Sequence, residues 1–143
     1  MKKTDRDGPR ATVQPLALNV VAGGAGFIGS HLCRALLDRG ELVLCLDNLQ
    51  TSRPSNLRAL EGHPRFRFLR HDIGQPMPAE VLRMAPRITR VWNLACAASP
   101  PLYQRDPEHT MLTNVVGTNN LLRLAEAAKA RFLLTSTSEV YGD

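Results

Sequence analysis

A chain of 143 residues is long enough to bury one real core and too short for two domains. Its 43% hydrophobic and 22% charged residues are ordinary for a soluble globular protein. The net charge of +5 comes mostly from arginines scattered between Arg6 and Arg131, with no dense basic block. It therefore predicts a solvated surface and argues against a nucleic-acid partner.

The start, MKKTDRDGPR, has no apolar segment to serve as a signal peptide. No apolar run approaches the roughly 18 residues of a membrane span, so no membrane partner is expected. Cys33, Cys45 and Cys96 are odd in number and lack metal or redox spacing. They point to a reducing cytoplasm and to no metal site.

Residues 1–14 are polar, contain Gly8 and Pro9, and are expected to form a flexible tail. The apolar run 16–23 predicts a buried strand. Residues 28–39 predict a helix with Ile28, Leu32, Cys33, Leu36 and Leu37 on one face and Gly40 as its stop. The run LVLCLD, 42–47, is apolar almost throughout, as expected of a strand buried on both faces of a parallel sheet. A loop with a short helix follows, then a strand at 66–73, a weak helix at 78–84 and a strand at 90–95. Residues 107–130 predict one long helix, with Pro107 in its first turn and Lys129 in its last. A fifth strand is expected at 132–137. Strands alternating with helices predict an α/β fold with right-handed crossovers.

The handover from the first strand to the first helix, VVAGGAGFIGSHL, carries the chemistry. Gly24-x-Gly26-x-x-Gly29 fits the spacing at which main-chain amides and a helix N-terminus hold a pyrophosphate, and Gly23 adds an earlier turn position. Asp47 stands eighteen residues beyond Gly29, at the tip of the second strand. A carboxylate there accepts bonds from ribose hydroxyls and repels a 2′-phosphate, which favours NAD over NADP. Arg53 in the following loop is the counter-signal. His31, His63, His71 and His109 lack metal spacing and are expected at surfaces or helix ends; Trp92 is expected in the core.

GGAGFIGSHL, LDN at 46–48, HDI at 71–73, LACAASP at 94–100, TNVVGTNNLL at 113–122 and TSTSEVYGD at 135–143 follow one another in an order that resembles the extended short-chain dehydrogenase/reductases. This is the NAD-dependent epimerase/dehydratase superfamily, of which only the N-terminal part is present. RHDI, LACAASPPLYQ and STSEVYGD are most similar to UDP-glucuronate decarboxylases, which form UDP-xylose through a 4-keto intermediate. The resemblance implies a Rossmann-type parallel sheet over residues 15–143, with helices on both faces, ending after the fifth strand and lacking a substrate domain.

By the same resemblance, Gly23, Gly26, Phe27, Ile28 and Gly29 meet the NAD pyrophosphate. Asp47 and Asn48 meet the adenosine ribose, and Asp72 and Ile73 flank the adenine. Leu94, Ala95 and Ala97 line the cofactor. Thr137 bonds the sugar hydroxyl to be oxidised, Ser138 and Glu139 stand near the reacting end of the substrate, and Tyr103 lies near the sugar ring. Ala22 and Asn93 depart from the family's usual Thr and His.

The family's Tyr-x-x-x-Lys general base is not among these residues. The lysines are Lys2, Lys3 and Lys129, and Pro107 follows four beyond Tyr103. The chain alone is therefore expected to be inactive on a UDP-sugar. The exposed edge of the fifth strand and the apolar 107–130 helix, through which relatives form homodimers, predict marginal stability or self-association. An epimerase or 4,6-dehydratase fragment, and a non-catalytic NAD-binding module, are the alternative readings.

Overall fold

The computed structural model describes residues 16–142; the expected tail, 1–14, lies outside them. Its strands are β1 (Leu18–Ala22), β2 (Leu42–Asp47), β3 (Phe66–Arg70), β4 (Ile88–Asn93) and β5 (Arg131–Leu134). They form one parallel sheet in the order β3-β2-β1-β4-β5. The helices are α1 (Phe27–Asp38), α2 (Ala79–Arg83), α3 (Pro100–Arg105), α4 (Pro107–Leu112) and α5 (Thr118–Ala128).

The central strands are apolar because both of their faces are covered. Alternate residues serve opposite sides. Val20, Leu44, Leu46 and Val91 pack with Leu121 and Leu124 of α5 and Val81 of α2. Val21, Val43 and Cys45 pack with Cys33, Leu36 and Leu37 of α1 and with Leu57 and Leu60 of the following loop. Truncating a fully buried leucine such as Leu121 costs about 2–5 kcal/mol. The order reverses at β1: β2 lies on one side and β4 on the other. The chain runs outward from β1 through β2 to β3 and then returns to β4 on the other side of β1, opening a crevice at the carboxyl ends of the strands.

The expected elements are present, several with shifted bounds. Gly40 ends α1 with φ +76°, its N–H donating to Leu37 O at 2.8 Å. β3 stops at Arg70 because Asp72 turns back on itself, its Oδ1 accepting from Gly74 N–H at 2.8 Å. β4 begins two residues earlier than expected, at Ile88, and stops at Asn93. Beyond it, Leu94 N–H still reaches Ala22 O at 2.9 Å before the chain leaves the sheet. β5 occupies only 131–134.

α3 was not expected; Pro100 and Pro101 occupy first-turn positions, where a missing N–H costs nothing. The 107–130 helix is helical from Pro107 to Ala128, but a π-turn at Thr113–Gly117 divides α4 from α5. No helix among the described residues is long and apolar enough to cross a membrane.

Candidate functional site

The β1–α1 turn is built around two glycines that admit no side chain. Gly23 has φ +75°, a left-handed conformation that disfavours other residues. A Cβ there would lie 2.7 Å from the Leu94 carbonyl at the end of β4. At Gly29 a Cβ would lie 2.1 Å from Gly23 O, so the first turn of α1 rests directly on the loop that precedes it. Gly26 is the N-cap residue of α1, with no side-chain cap and no acidic residue in the first turn. The N–H groups of the first turn, at the positive end of the helix dipole, are thus left without a side-chain cap.

Asp47 closes the other side of this turn. It is 8% exposed, and its Oδ2 accepts from Ala25 N–H at 2.9 Å. Oδ1 accepts from Leu49 N–H at 2.8 Å and from Ser52 Oγ at 2.7 Å. Leu49 has φ +62°, costing about 1–2 kcal/mol for a non-glycine residue. That bend folds the loop back so that Ser52 reaches the carboxylate. Asn56 completes the clasp, its Nδ2 donating to Ala25 O at 2.8 Å.

A second carboxylate stands one strand further out. Asp72 Oδ2 accepts from Asn48 Nδ2 at 3.2 Å and lies 2.6 Å from His109 Nε2 on α4. Burial pushes this carboxyl up, but the bonds from His109, Gly74 N–H and Asn48 outweigh it and hold it below the ordinary carboxylate range. Burial pushes the neighbouring His71 imidazole down, against the pull of Asp72, and its Nε2 is buried without a hydrogen-bond partner.

These groups line one open cleft across the carboxyl ends of the strands. Of the residues singled out in the sequence, Gly23, Gly26, Asp47, Asn48, Asp72, Ile73, Leu94, Ala95 and Ala97 line it. Gly29 lies beneath the turn as packing. Phe27 and Ile28 begin α1 with exposed side chains, 78% and 65%, so only their main chain faces the first-turn position. Tyr103 lies on α3, 37% exposed, outside the cleft.

Thr137 is exposed beyond β5, at the same end of the sheet. Thr135 ties that segment to the tip of β4, its N–H and hydroxyl donating to Asn93 O at 3.0 and 3.1 Å. The side chains of Ser138 and Glu139 lie outside the described part of the structure.

Sequence reasoning missed several cleft residues. Two of the histidines expected at surfaces or helix ends, His71 and His109, line the cleft and are half-buried. Ser52, Cys96 and Thr113 also line it. Buried Asn93 joins three elements: its amide donates to Thr118 Oγ1 at 3.0 Å and its Oδ1 accepts from Ala95 N–H at 3.2 Å, while its main-chain oxygen receives Thr135. Its polar side chain at the carboxyl end of β4, where the family's usual residue is absent, was the available signal. Among the described residues no cluster of His, Cys, Asp and Glu could hold a metal.

Sheet order, glycine turn and acidic β2 tip together define a Rossmann-type α/β domain with its binding crevice at the switch point. The chain belongs to the family whose model is described as GDP-mannose 4,6 dehydratase, which matches residues 20–143. It is 51% identical over 124 residues to UDP-glucuronic acid decarboxylase 1 of Arabidopsis thaliana, covering 87% of this chain and 27% of that protein. It is 48% identical over 132 residues to UDP-glucuronic acid decarboxylase 3 of the same plant, covering 91% of this chain and 36% of that protein. The chain thus spans about a quarter to a third of the length of these relatives. Among solved structures, the dTDP-glucose 4,6-dehydratase DesIV of Streptomyces venezuelae, with NAD and TYD bound, superposes with a TM-score of 0.76 at 32% identity. That match covers 88% of this chain and 41% of DesIV.

Proposed function

We propose that this chain is the NAD-binding part of a UDP-glucuronate decarboxylase, with the dinucleotide lying in the cleft at the carboxyl ends of the strands. One observation carries the reading. The Asp47 carboxylate is fixed by an amide of the glycine turn itself, so an acceptor for ribose hydroxyls and a cradle for a diphosphate form one rigid unit. The cradle fits the group: Gly23 and Gly26 line the cleft, Gly29 lets α1 rest directly on the turn, and the start of α1 has no side-chain cap. Asp47 has no cationic partner among the described residues, and Arg53 is exposed outside the cleft, which supports NAD over NADP.

When bound, NAD supplies the two-electron acceptor that oxidation of a sugar alcohol requires. Gly23, Gly26 and the main chain of Phe27 and Ile28 hold its diphosphate, with Gly29 packing the helix close. Asp47 and Asn48 hold the ribose, Asp72 and Ile73 the base, and Leu94, Ala95 and Ala97 exclude water along the cleft wall. Thr137 orients the hydroxyl to be oxidised. Ser138 and Glu139 serve the carboxylate end of a UDP-glucuronate, and Tyr103 its sugar ring. The decarboxylase assignment is supported over an epimerase or dehydratase by the higher identity to the decarboxylases, 51% against 32% for DesIV.

A polypeptide of these 143 residues carries no Tyr-x-x-x-Lys, and it is proposed to bind NAD without releasing CO₂ from UDP-glucuronate. Met111 and Val115, 57% and 65% exposed on the α4 to α5 helix, are proposed to pair with a second copy.

Cys96 provides the test. It lines the cleft and is exposed, whereas Cys33 and Cys45 are fully buried. Saturating NAD is expected to slow reaction of Cys96 with an aromatic disulfide reagent roughly tenfold or more, in parallel with heat released in calorimetric titration. Unchanged labelling together with no heat would refute the binding reading. CO₂ release by the pure chain would refute its inactivity.

A further inference from the structure

The segment after β3 is gripped from outside the sheet by the helix that runs from α4 through the π-turn to α5. His109 Nε2 lies 2.6 Å from Asp72 Oδ2. Gly117, at the end of the π-turn, gives room to Ile73; a Cβ there would lie 2.6 Å from Ile73 Cγ1. Asn120 Nδ2 donates to Ile73 O at 2.8 Å and to Gln75 O at 3.0 Å. His109 is itself fixed on both sides. Its N–H donates to Asp106 Oδ1 at 3.0 Å, and its ring Nδ1 lies 3.4 Å from Thr113 Oγ1. The apolar anchor of this helix, Leu121 and Leu124, lies more than two turns further along, so the His109–Asp72 pair is not what keeps the helix on the sheet.

The order of strands says what Asp72 faces. β1, β2 and β3 are neighbours about 4.8 Å apart. The glycine turn ends β1, Asp47 ends β2, and Asp72 follows the end of β3. A dinucleotide half with its diphosphate on the first and its ribose on the second brings its base to the third. A carboxylate offers about four acceptor positions, and on Asp72 three are filled. Gly74 N–H takes one on Oδ1, and Asn48 and His109 take two on Oδ2. One remains, on Oδ1.

We propose that His109 is a positioning residue for base recognition: by filling Oδ2 it leaves Asp72 a single acceptor that takes an amino N–H from the base and repels a carbonyl oxygen in its place. The proposal rests on the dinucleotide reading of the cleft. A purine with an exocyclic amino group satisfies the remaining lone pair. The same purine with an oxo group sets two acceptors against each other in a partly dry site. Without His109 the carboxylate can turn and take up water, and the distinction is lost.

The test uses the whole 143-residue chain and two probes, NAD and nicotinamide hypoxanthine dinucleotide, which differ at the exocyclic group on C6 and at the adjacent N1, an acceptor in the first and an N–H donor in the second. Calorimetric titration is expected to show the unaltered chain favouring NAD roughly tenfold or more. His109→Ala is expected to weaken NAD selectively and bring the ratio close to one. His109→Gln, whose side-chain amide restores a donor, is expected to recover most of the preference. Asp72→Asn, which adds a donor, should move the ratio toward the hypoxanthine dinucleotide and reads the same carboxylate even where the alanine variant folds poorly.

A purely structural role for His109 would weaken both dinucleotides alike, and that result overturns the proposal. So does an unaltered chain that binds both equally, which leaves the cofactor reading standing. A chain that binds neither overturns both.

Discussion

The two ends of the sheet each carry carboxylates, and they are held in opposite ways. At the amino end Glu41 accepts from Asn19 Nδ2 at 2.8 Å, Arg90 Nη1 at 2.6 Å and Arg39 Nε at 3.1 Å. Asn19 is fully buried, and its Oδ1 accepts from Trp92 Nε1 at 3.1 Å. Burial pushes the Glu41 carboxyl up, but Asn19 and the two arginines prevail and hold it below its ordinary value. At the carboxyl end no arginine reaches Asp47 or Asp72 among the described residues. Their donors are main-chain amides, a hydroxyl, an asparagine and a histidine. One end is a neutralised lock. The other keeps negative charge in an open cleft, where it attracts N–H and O–H donors and repels a further phosphate.

That contrast can be broken most severely at Gly29. With Gly23 O only 2.1 Å from a Cβ, Gly29→Ala must displace either the helix or the turn. It is expected to cost about 3 kcal/mol and to abolish NAD binding. A wild-type melting curve with wild-type affinity would show that the contact is slack.

A paired substitution sharpens the comparison. Asp47→Asn is expected to weaken NAD roughly 10- to 100-fold in calorimetric titration. Glu41→Gln is expected to leave that affinity unchanged and to lower stability by about 1–2 kcal/mol in urea unfolding. Equal effects of both changes on affinity would mean that the two ends are not independent.

The smallest effect is in pH. Burial makes His71 harder to protonate in the fold than in the unfolded chain, which takes up a proton below about pH 6.5. Stability is therefore expected to fall as pH drops through that value. A second decline is expected below about pH 4.5, as the unfolded chain takes up protons on Glu41 and Asp72 while the fold, which depresses both carboxyls, resists them. Urea midpoints at pH 8, 5.5 and 4 measure both limbs. His71→Asn should remove the upper one only, and a flat upper limb in the unaltered chain would refute the assignment.

Much of the architecture could be read from the chain because it rests on local pattern. LVLCLD is β2 with the expected bounds, since a strand covered on both faces must be apolar throughout. The glycine spacing and Asp47 were legible for the same reason: a tight turn admits few residues. What escaped depends on partners distant in sequence. His109 meets Asp72 across 37 residues, and nothing in the periodicity of 107–130 marks it. The π-turn escaped too, since apolar spacing continues through it; at its end Gly117 leaves room for Ile73. Ser52 reaches Asp47 only because Leu49 adopts a left-handed bend.

β3 is the outermost strand on its side, and Arg67, Phe68 and Arg70 are exposed along it. Such a strand opens locally at small free-energy cost, and its amides should exchange with solvent sooner than those of β1 at the centre. A dinucleotide reaching from the glycine turn to Asp72 would tie that border to the interior, making rim and middle open as one unit. β5, the opposite border, contributes no residue of its own to the cleft and would keep its own rate of breathing.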